Sequence, residues 1–324
     1  MATMLKPTDM NKWRAVAKVR KGQKLLGHLL WYTIGELLLD RDQLEEAFVK
    51  SGVDLSRIPP IHPNHAFQRA TANCERLRLP NDDGTFTNLL VRSIRDNHQQ
   101  VIRMLVEEQV DAANQRLGYQ PVARMMWRDE EPDLAEIQIE PGAVLSDRSM
   151  EVLDGLQTAF DEAKRQYTGR AIRAMVTDLL ANGQPVSVRR AGGVFFVPFA
   201  HNTVTRQVKE LVEALREAAK NDGTAAYMVA VANQPDQRVM VRREASHDIG
   251  REIASITEKI MTWLEENKRV SAPMAKNAMT EVIRLQGRVN EYERLLGDSL
   301  GDLKERTNQA KLLLTSVFQN KLDV

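Results

Sequence analysis

The chain has 324 residues, and its 45 basic side chains nearly balance 44 acidic ones. This length predicts two or three folding units, and an apolar fraction of 43% argues against general disorder. No apolar run approaches the ~20 residues of a membrane helix, and no secretory signal is evident, so we expect a cytoplasmic protein. A single cysteine, Cys74, excludes an intrachain disulfide and a cysteine-based zinc site.

The first third of the chain predicts helices joined by loops. Apolar residues recur at near-helical spacing over residues 10–39 and again over residues 87–116. Two shorter helices are expected between them, beginning near Asp40 and near Asn64. We therefore expect a helical N-terminal domain over residues 1–118.

The middle third predicts a small mixed α+β domain over residues 119–235. Its clearest signal is a tight hairpin, in which Gly192 and Gly193 separate two runs rich in β-branched and aromatic residues. The elements expected here are strands at 121–127 and 134–140, a helix at 147–181, hairpin strands at 186–190 and 194–197, a helix at 203–220 and a strand at 225–232.

The last third, residues 236–324, has apolar residues spaced alternately four and three apart, which predicts a coiled-coil helical hairpin. Its second run follows Pro273 and continues past an extra four-residue step between Leu296 and Leu300. Unbroken, this helix would be about twice as long as its partner arm, so we expect part of its seam to meet another chain in a homo-oligomer. A hairpin packed on its own chain is the alternative, which Gly297 favours. The expected oligomerisation residues are Val282, Leu285, Val289, Tyr292, Leu296, Leu303 and Leu314.

Two basic clusters are candidates for contact with nucleic acid. The first 28 residues hold seven basic side chains against one acidic one, an excess that can follow phosphates; a solvated terminus is the alternative. The second cluster lies on a helix followed by a basic hairpin, the order in which winged-helix proteins set a wing beside DNA. A hairpin that completes the core is the alternative there. The candidate contacts are Lys18, Arg20, Lys21 and Lys24 in the first cluster and Arg170, Arg173, Arg189 and Arg190 in the second.

No catalytic signature is found, so we predict no catalytic residue, no metal site and no cofactor. The sequence has no phosphate loop, dinucleotide fingerprint or serine elbow. The acidic stretch with Asp129, Asp133 and Glu136 faintly resembles a metal-dependent nuclease motif, but its carboxylates are too close together and Gln138 stands where a lysine is needed. Cys74 has an acidic neighbour, a poor setting for a reactive thiolate.

Three strings carry a family resemblance: Leu30-Trp-Tyr-Thr-Ile34, Ala66-Phe-Gln-Arg-Ala70 and Gly192-Gly-Val-Phe-Phe-Val-Pro198. With them the chain resembles an uncharacterised group of bacterial, plasmid and phage proteins that carry a similar "GGVYFVP" hairpin after a long helix. Phe195 stands where the group often has tyrosine. The resemblance covers most of the chain and implies a mobile-element or host–phage-conflict setting. It implies no activity and no catalytic residue.

Taken together, these patterns predict an α+β, predominantly helical protein that is not an enzyme. We expect it to self-assemble and to bind nucleic acid or a protein partner, without a membrane. One alternative is a purely structural coiled-coil adaptor or scaffold for a partner such as an ATPase. Another is a metal-dependent nuclease or hydrolase that uses the acidic stretch.

Overall fold

The computed structural model describes residues 24–189, 193–265 and 270–320. It belongs to the mixed α+β class, with more helix than strand. None of the helices in these residues combines the length and the hydropathy that crossing a membrane requires. The elements in chain order are β1 (Leu25–Thr33), β2 (Leu38–Asp40), α1 (Arg41–Lys50), α2 (Pro63–Ala72), β3 (Arg76–Pro80), β4 (Phe86–Asp96), β5 (Gln100–Val110), β6 (Arg116–Arg128), β7 (Glu136–Ile139), α3 (Asp147–Asp154), α4 (Leu156–Arg165), β8 (Gln166–Thr168), α5 (Gly169–Ala181), β9 (Val186–Ser187), β10 (Val194–Pro198), α6 (Asn202–Ala219), β11 (Ala225–Ala232), α7 (Pro235–Glu265), α8 (Ala272–Leu296) and α9 (Gly301–Asn320).

The chain divides into two compact units. The meander unit comprises residues 36–46 and 54–172, and the bundle unit comprises the described residues of the ranges 24–35, 47–53 and 173–320. The expected boundary between residues 118 and 119 falls inside β6. The division into three domains stays a prediction.

The meander unit is built on an antiparallel sheet in which β3 to β7 lie side by side in chain order. Helices α2 and α4 pack on one face of this sheet, where the rings of Phe67 and Phe160 meet edge to face at 5.6 Å. This layer forms the apolar core of the unit. Its fully buried members include Ala66, Phe67, Leu89, Val101, Leu105, Val122, Met125, Leu156 and Phe160.

The long helix predicted over residues 87–116 is wrong, because this segment forms β4, a tight turn and β5. Residues four apart, such as Val101 and Leu105, share one face of a strand as well as one face of a helix. Their spacing therefore did not distinguish the two structures. The turn is set by Asn97, whose side chain accepts the backbone N–H groups of Gln99 and Gln100.

The single helix predicted over residues 147–181 is also wrong. Helix α3 ends at Gly155, and α4 ends where Gln166 turns extended and begins β8. Strand β8 pairs with β2, so that Tyr167 lies opposite Leu39, and α5 follows it directly. The short extended break contains Tyr167 and Thr168, residue types that favour strands.

The bundle unit contains an antiparallel sheet in the order β11-β1-β10-β9. Strand β1 lies between its neighbours, with Leu30 opposite Phe195 on one side and Met228 on the other. The helix predicted over residues 10–39 is thus wrong where the chain is described. A central strand buried on both faces reads as a continuous apolar run rather than as an alternation. The strand predicted at 194–197, the helix at 203–220 and the strand at 225–232 are confirmed as β10, α6 and β11. The first hairpin strand, predicted over 186–190, is shorter, since β9 covers only Val186–Ser187.

Helices α7, α8 and α9 pack together as a three-helix bundle with a continuous apolar core. Helix α8 runs antiparallel to α7, since Arg284 pairs with Glu252 and Arg238 reaches the carbonyl of Leu296. Helix α9 runs antiparallel to α8, because Lys304 pairs with Glu293. The expected seam residues all lie in this core: Val282, Leu285, Val289, Tyr292, Leu296, Leu303 and Leu314.

The reason for expecting these seam residues to contact another chain is therefore corrected. The extra four-residue step is the end of a helix, because Gly297 adopts a φ of +63° and α9 begins afresh at Gly301. Helix α7 has 31 residues against 25 in α8, so within the described residues the first arm is not the shorter one. The chain packs these seam residues on itself, and self-assembly stays a prediction.

The close approach of β1 to β10 can be tested at Gly27. A Cβ atom at this position would lie 2.1 Å from the carbonyl oxygen of Val197. We expect Gly27→Ala to lower the free energy of unfolding by about 1–3 kcal/mol, because neighbouring backbone must move.

The matched control is Gly287→Ala in α8, where nothing lies within 4 Å of the added methyl group. This change is expected to raise the free energy of unfolding by up to about 1 kcal/mol, since alanine favours helix. Urea denaturation followed by circular dichroism measures both values. If Gly27→Ala unfolds at the wild-type midpoint, the described packing of β1 against β10 is incorrect.

Candidate nucleic-acid interface

An aromatic pair lies on one face of the bundle unit's sheet. Trp31 in β1 is the register partner of Tyr227 in β11, and their rings stack with centroids 5.4 Å apart and planes 19° apart. Both side chains are partly exposed. Stacked, accessible rings of this kind present a π surface to which a planar group can add.

The basic hairpin borders the same end of the sheet. Val194 is the register partner of Trp31 on the side opposite Tyr227, and its carbonyl accepts the N–H of Val188 at 2.9 Å. The exposed Arg189 follows Val188, and its carbonyl accepts the hydroxyl of Ser187 at 2.9 Å. A cation on a short hairpin thus adjoins the cross-strand row that carries the aromatic pair.

Arg173 secures the same end of β1 from the opposite face. Its Nη2 donates to the carbonyl of Ile34 at 2.7 Å, and one turn later Thr177 is hydrogen-bonded to the hydroxyl of Tyr32 at 2.9 Å. Burial raises the pKa of Tyr32 despite the opposing effects of Thr177 and Arg173, so the phenol stays neutral. Tyr32 and Trp31 point to opposite faces of the sheet. Arg173 and Thr177 therefore hold this end of β1 from the face opposite the aromatic pair.

None of the contacts found among the described residues connects the other predicted residues to this group. Lys24 is exposed at the start of β1, seven positions from Trp31 and therefore about 23 Å away along the strand. Arg170 is exposed and belongs to the meander unit. The remaining candidates, Lys18, Arg20, Lys21 and Arg190, lie outside the described residues.

A buried ionic network fixes the base of the hairpin on the bundle. Asp248 accepts the backbone N–H of Ser187 at 3.1 Å and also accepts Arg288 at 3.1 Å. Arg288 donates in addition to Glu252 at 2.6 Å and to the carbonyl of Pro185. The side chains of Arg288 and Asp248 are only 3% and 7% exposed. We name these three charged residues, Asp248, Glu252 and Arg288, the latch.

Glu252 of the latch keeps its charge at neutral pH. Burial raises the pKa of Glu252, but the charges and hydrogen bonds of Arg288 and Arg284 outweigh this effect and leave it below its ordinary value of 4.5. Beside the latch, Tyr292 donates to the carbonyl of Gln184 at 3.0 Å. Burial raises the pKa of Tyr292 well above its ordinary value, so this donor keeps its proton.

The sequence reasoning missed both the aromatic pair and the latch. The heptad pattern identifies only the apolar positions of the helix, so Arg288, which stands next to the seam residue Val289, was not considered. A signal was present, since two acidic residues four apart in α7 and two arginines four apart in α8, namely Asp248, Glu252, Arg284 and Arg288, suit facing antiparallel helices.

Replacement of Arg288 tests the latch. We expect Arg288→Met to lower the free energy of unfolding by about 3–5 kcal/mol at neutral pH, because Asp248 and Glu252 lose their buried counter-charge. The control is Arg284→Met, whose side chain is 41% exposed, and which is expected to cost less than about 1 kcal/mol. Denaturant titrations of the two variants give both values.

The stability difference between the wild type and Arg288→Met is also expected to depend on pH. A carboxylate whose pKa is lowered by folding contributes stability at neutral pH and loses it as the pH falls below its ordinary value. The difference between wild type and Arg288→Met should therefore narrow below about pH 4.5, the ordinary value for Glu252. If the difference in free energy of unfolding between the two proteins is the same above and below pH 4.5, the loss of the Arg288–Glu252 pair does not cause it.

The residues of the hydrolase alternative face separate cations. Asp133 pairs with Lys164 at 2.7 Å, and Glu136 pairs with Arg128 at 3.0 Å. Within the described ranges, no three histidine, cysteine or carboxylate side chains are grouped to hold a metal ion. Cys74 is buried, and this burial raises the pKa of its thiol to about 11.

Comparison with known proteins gives a single match. Residues 25–323 match the model of one family, which is described as a family of unknown function. No curated protein and no solved structure matches the chain. The match supplies neither a substrate nor a partner, so a function has to be argued from the site.

Proposed function

The chain belongs to the family of unknown function DUF6744, and we propose that it binds single-stranded nucleic acid through the aromatic pair and the basic hairpin. The observation that carries this proposal is the position of the stacked Trp31 and Tyr227 in the row that continues into the hairpin at Val194. Arg189, on the same hairpin, supplies a positive charge.

The proposal assigns one task to each part. An unpaired base stacks on the accessible rings of Trp31 and Tyr227, a contact worth about 1–3 kcal/mol per base and tolerant of sequence. Arg189 meets the phosphate backbone, where its charge displaces counterions and makes affinity depend on salt. The latch and Arg173 make no contact with the ligand and hold the hairpin and the end of β1 in place.

Single-stranded nucleic acid is proposed as the ligand in preference to a duplex, because the bases of a duplex are stacked on one another. A ring pair on a sheet face can stack only on a base that is free of its neighbours. Self-assembly along such a strand is part of the proposal, as is a setting in a mobile element or in host–phage conflict, which rests on the family resemblance. The competing function is a structural adaptor without affinity for nucleic acid.

Binding to fluorescent oligonucleotides tests the proposal. Fluorescence anisotropy at low salt should show a tighter complex with a single-stranded oligonucleotide than with the matching duplex. Trp31→Ala should weaken binding of the single strand about ten-fold, the loss expected for one base stack. Arg189→Glu should weaken it as well and should reduce the slope of log affinity against log salt by at least about one, as expected for a lost phosphate contact.

Two matched variants serve as controls. Arg243→Glu reverses an exposed arginine of α7, and Phe199→Ala removes an exposed ring beyond the far end of β10. Both should bind as the wild type does, and circular dichroism confirms that every variant is folded. Absence of binding by the wild type, or equal losses in the test and control variants, would contradict the proposal and favour the adaptor.

A further inference from the structure

The meander unit contains a cavity of about 380 Å³ between its sheet and its helices. Its inner wall is apolar, since Ala70, Leu89 and Leu156 are at most 1% exposed. Leu79, Val152 and Ala159 extend the apolar lining toward the mouth. A volume of this size lies in the range of small-molecule sites, which are mainly apolar with a few placed polar groups.

Two arginines line the cavity as well. Arg76 donates to the carbonyl of Glu75 at 2.9 Å, and Arg148 donates to the side-chain oxygen of Asn81 at 3.1 Å and to the carbonyl of Pro80. These bonds orient both guanidinium groups. Each guanidinium has five N–H donors, so donors remain for a ligand.

In the part of the chain that the structure describes, neither Arg76 nor Arg148 has a carboxylate within ion-pair distance, since their hydrogen-bond partners are carbonyl and amide oxygens. The lining includes one acidic side chain, the exposed Glu151. Two cations and one anion leave an excess of one positive charge, which suits a ligand with a single negative charge.

We propose that this cavity binds a small amphipathic acid, a hydrocarbon chain that ends in one carboxylate. The chain occupies the apolar wall formed by Ala70, Leu89 and Leu156, and the carboxylate accepts hydrogen bonds from Arg148 and Arg76. An arginine binds a carboxylate with two parallel N–H donors, a geometry that favours this head group. Glu151 repels a second negative charge and so disfavours a phosphate monoester.

This site is independent of the proposed nucleic-acid interface, because it lies wholly in the meander unit. Loss of one function therefore does not predict loss of the other. The two proposals can fail separately, and their tests use different ligands and different variants.

Decanoate is the probe for a direct binding experiment with the full chain. Isothermal titration calorimetry below the micelle concentration should detect binding of decanoate and weaker or absent binding of acetate and of decanol. Acetate lacks the chain and decanol lacks the charge, so the comparison separates the two parts of the ligand. Equal binding of decanol would overturn the assignment of the arginines, and no binding of decanoate would overturn the proposal.

Cys74 provides a second measurement. It is the sole cysteine of the chain and lines the cavity, so its rate of alkylation reports on access to this space. At one fixed alkaline pH, decanoate should slow the alkylation while acetate leaves the rate unchanged. Binding without protection of Cys74 would place the ligand elsewhere and would contradict the proposed site.

Variants locate the site. Ala159→Leu fills part of the cavity and should abolish both binding and protection, whereas Arg148→Met should weaken binding about ten-fold through loss of a charged hydrogen bond. Arg165→Met, an exposed arginine of α4 outside the cavity, is the control and should bind as the wild type does. If Ala159→Leu does not fold, Arg148→Met decides the question, and unchanged affinity in that variant would overturn the proposal.

Discussion

The guanidinium of Arg288 joins two helices of the bundle to the strand that begins the hairpin. It contacts Asp248 and Glu252 in α7 and the carbonyl of Pro185 just before β9. This charge is almost completely buried, so it depends on these hydrogen bonds, and they hold the three partner groups in place around it. The position of Arg189 beside the aromatic row is thus set by a contact deep in the bundle.

The physical logic of the bundle unit follows from this arrangement. Apolar burial holds α7, α8 and α9 together but does not by itself specify where the sheet docks. The latch adds directional contacts between the two, since Asp248 accepts the backbone N–H of Ser187 and Arg288 donates to the carbonyl of Pro185. Tyr292 adds a second fixed point, because its hydroxyl meets the carbonyl of Gln184 and its ring contacts Phe196.

The sequence predicted elements whose signals are local. Strand β10, helix α6 and strand β11 were expected at nearly their observed positions. It failed for β1, whose apolar residues on both faces imitate a buried helix, and for β4 and β5, where a spacing of four suits both structures. In each failure the deciding factor was a partner strand, which no local pattern reveals.

The candidate site was predictable to a similar extent. Arg189 was identified because a basic hairpin is a local feature. The pairing of Trp31 with Tyr227 was not, since the two residues are 196 positions apart and meet only through the register of β1 and β11. The seam residues lie in the core of the bundle unit. The sequence left open whether they meet another chain or pack on their own chain, and Gly297, which ends α8 with a φ of +63°, was the residue that favoured the second possibility.

The position of β1 in the chain affects how the protein is made. Its two partner strands begin at Val194 and Ala225, more than 160 residues after β1 starts. At a synthesis rate of about 5–20 residues per second, both neighbours of β1 have been started only about ten to forty seconds after β1 itself. The residues of the meander unit are all translated during this interval. The apolar segment from Leu25 to Tyr32 therefore has neither of its partner strands during this interval. A chain that stops before Val194 leaves it without both.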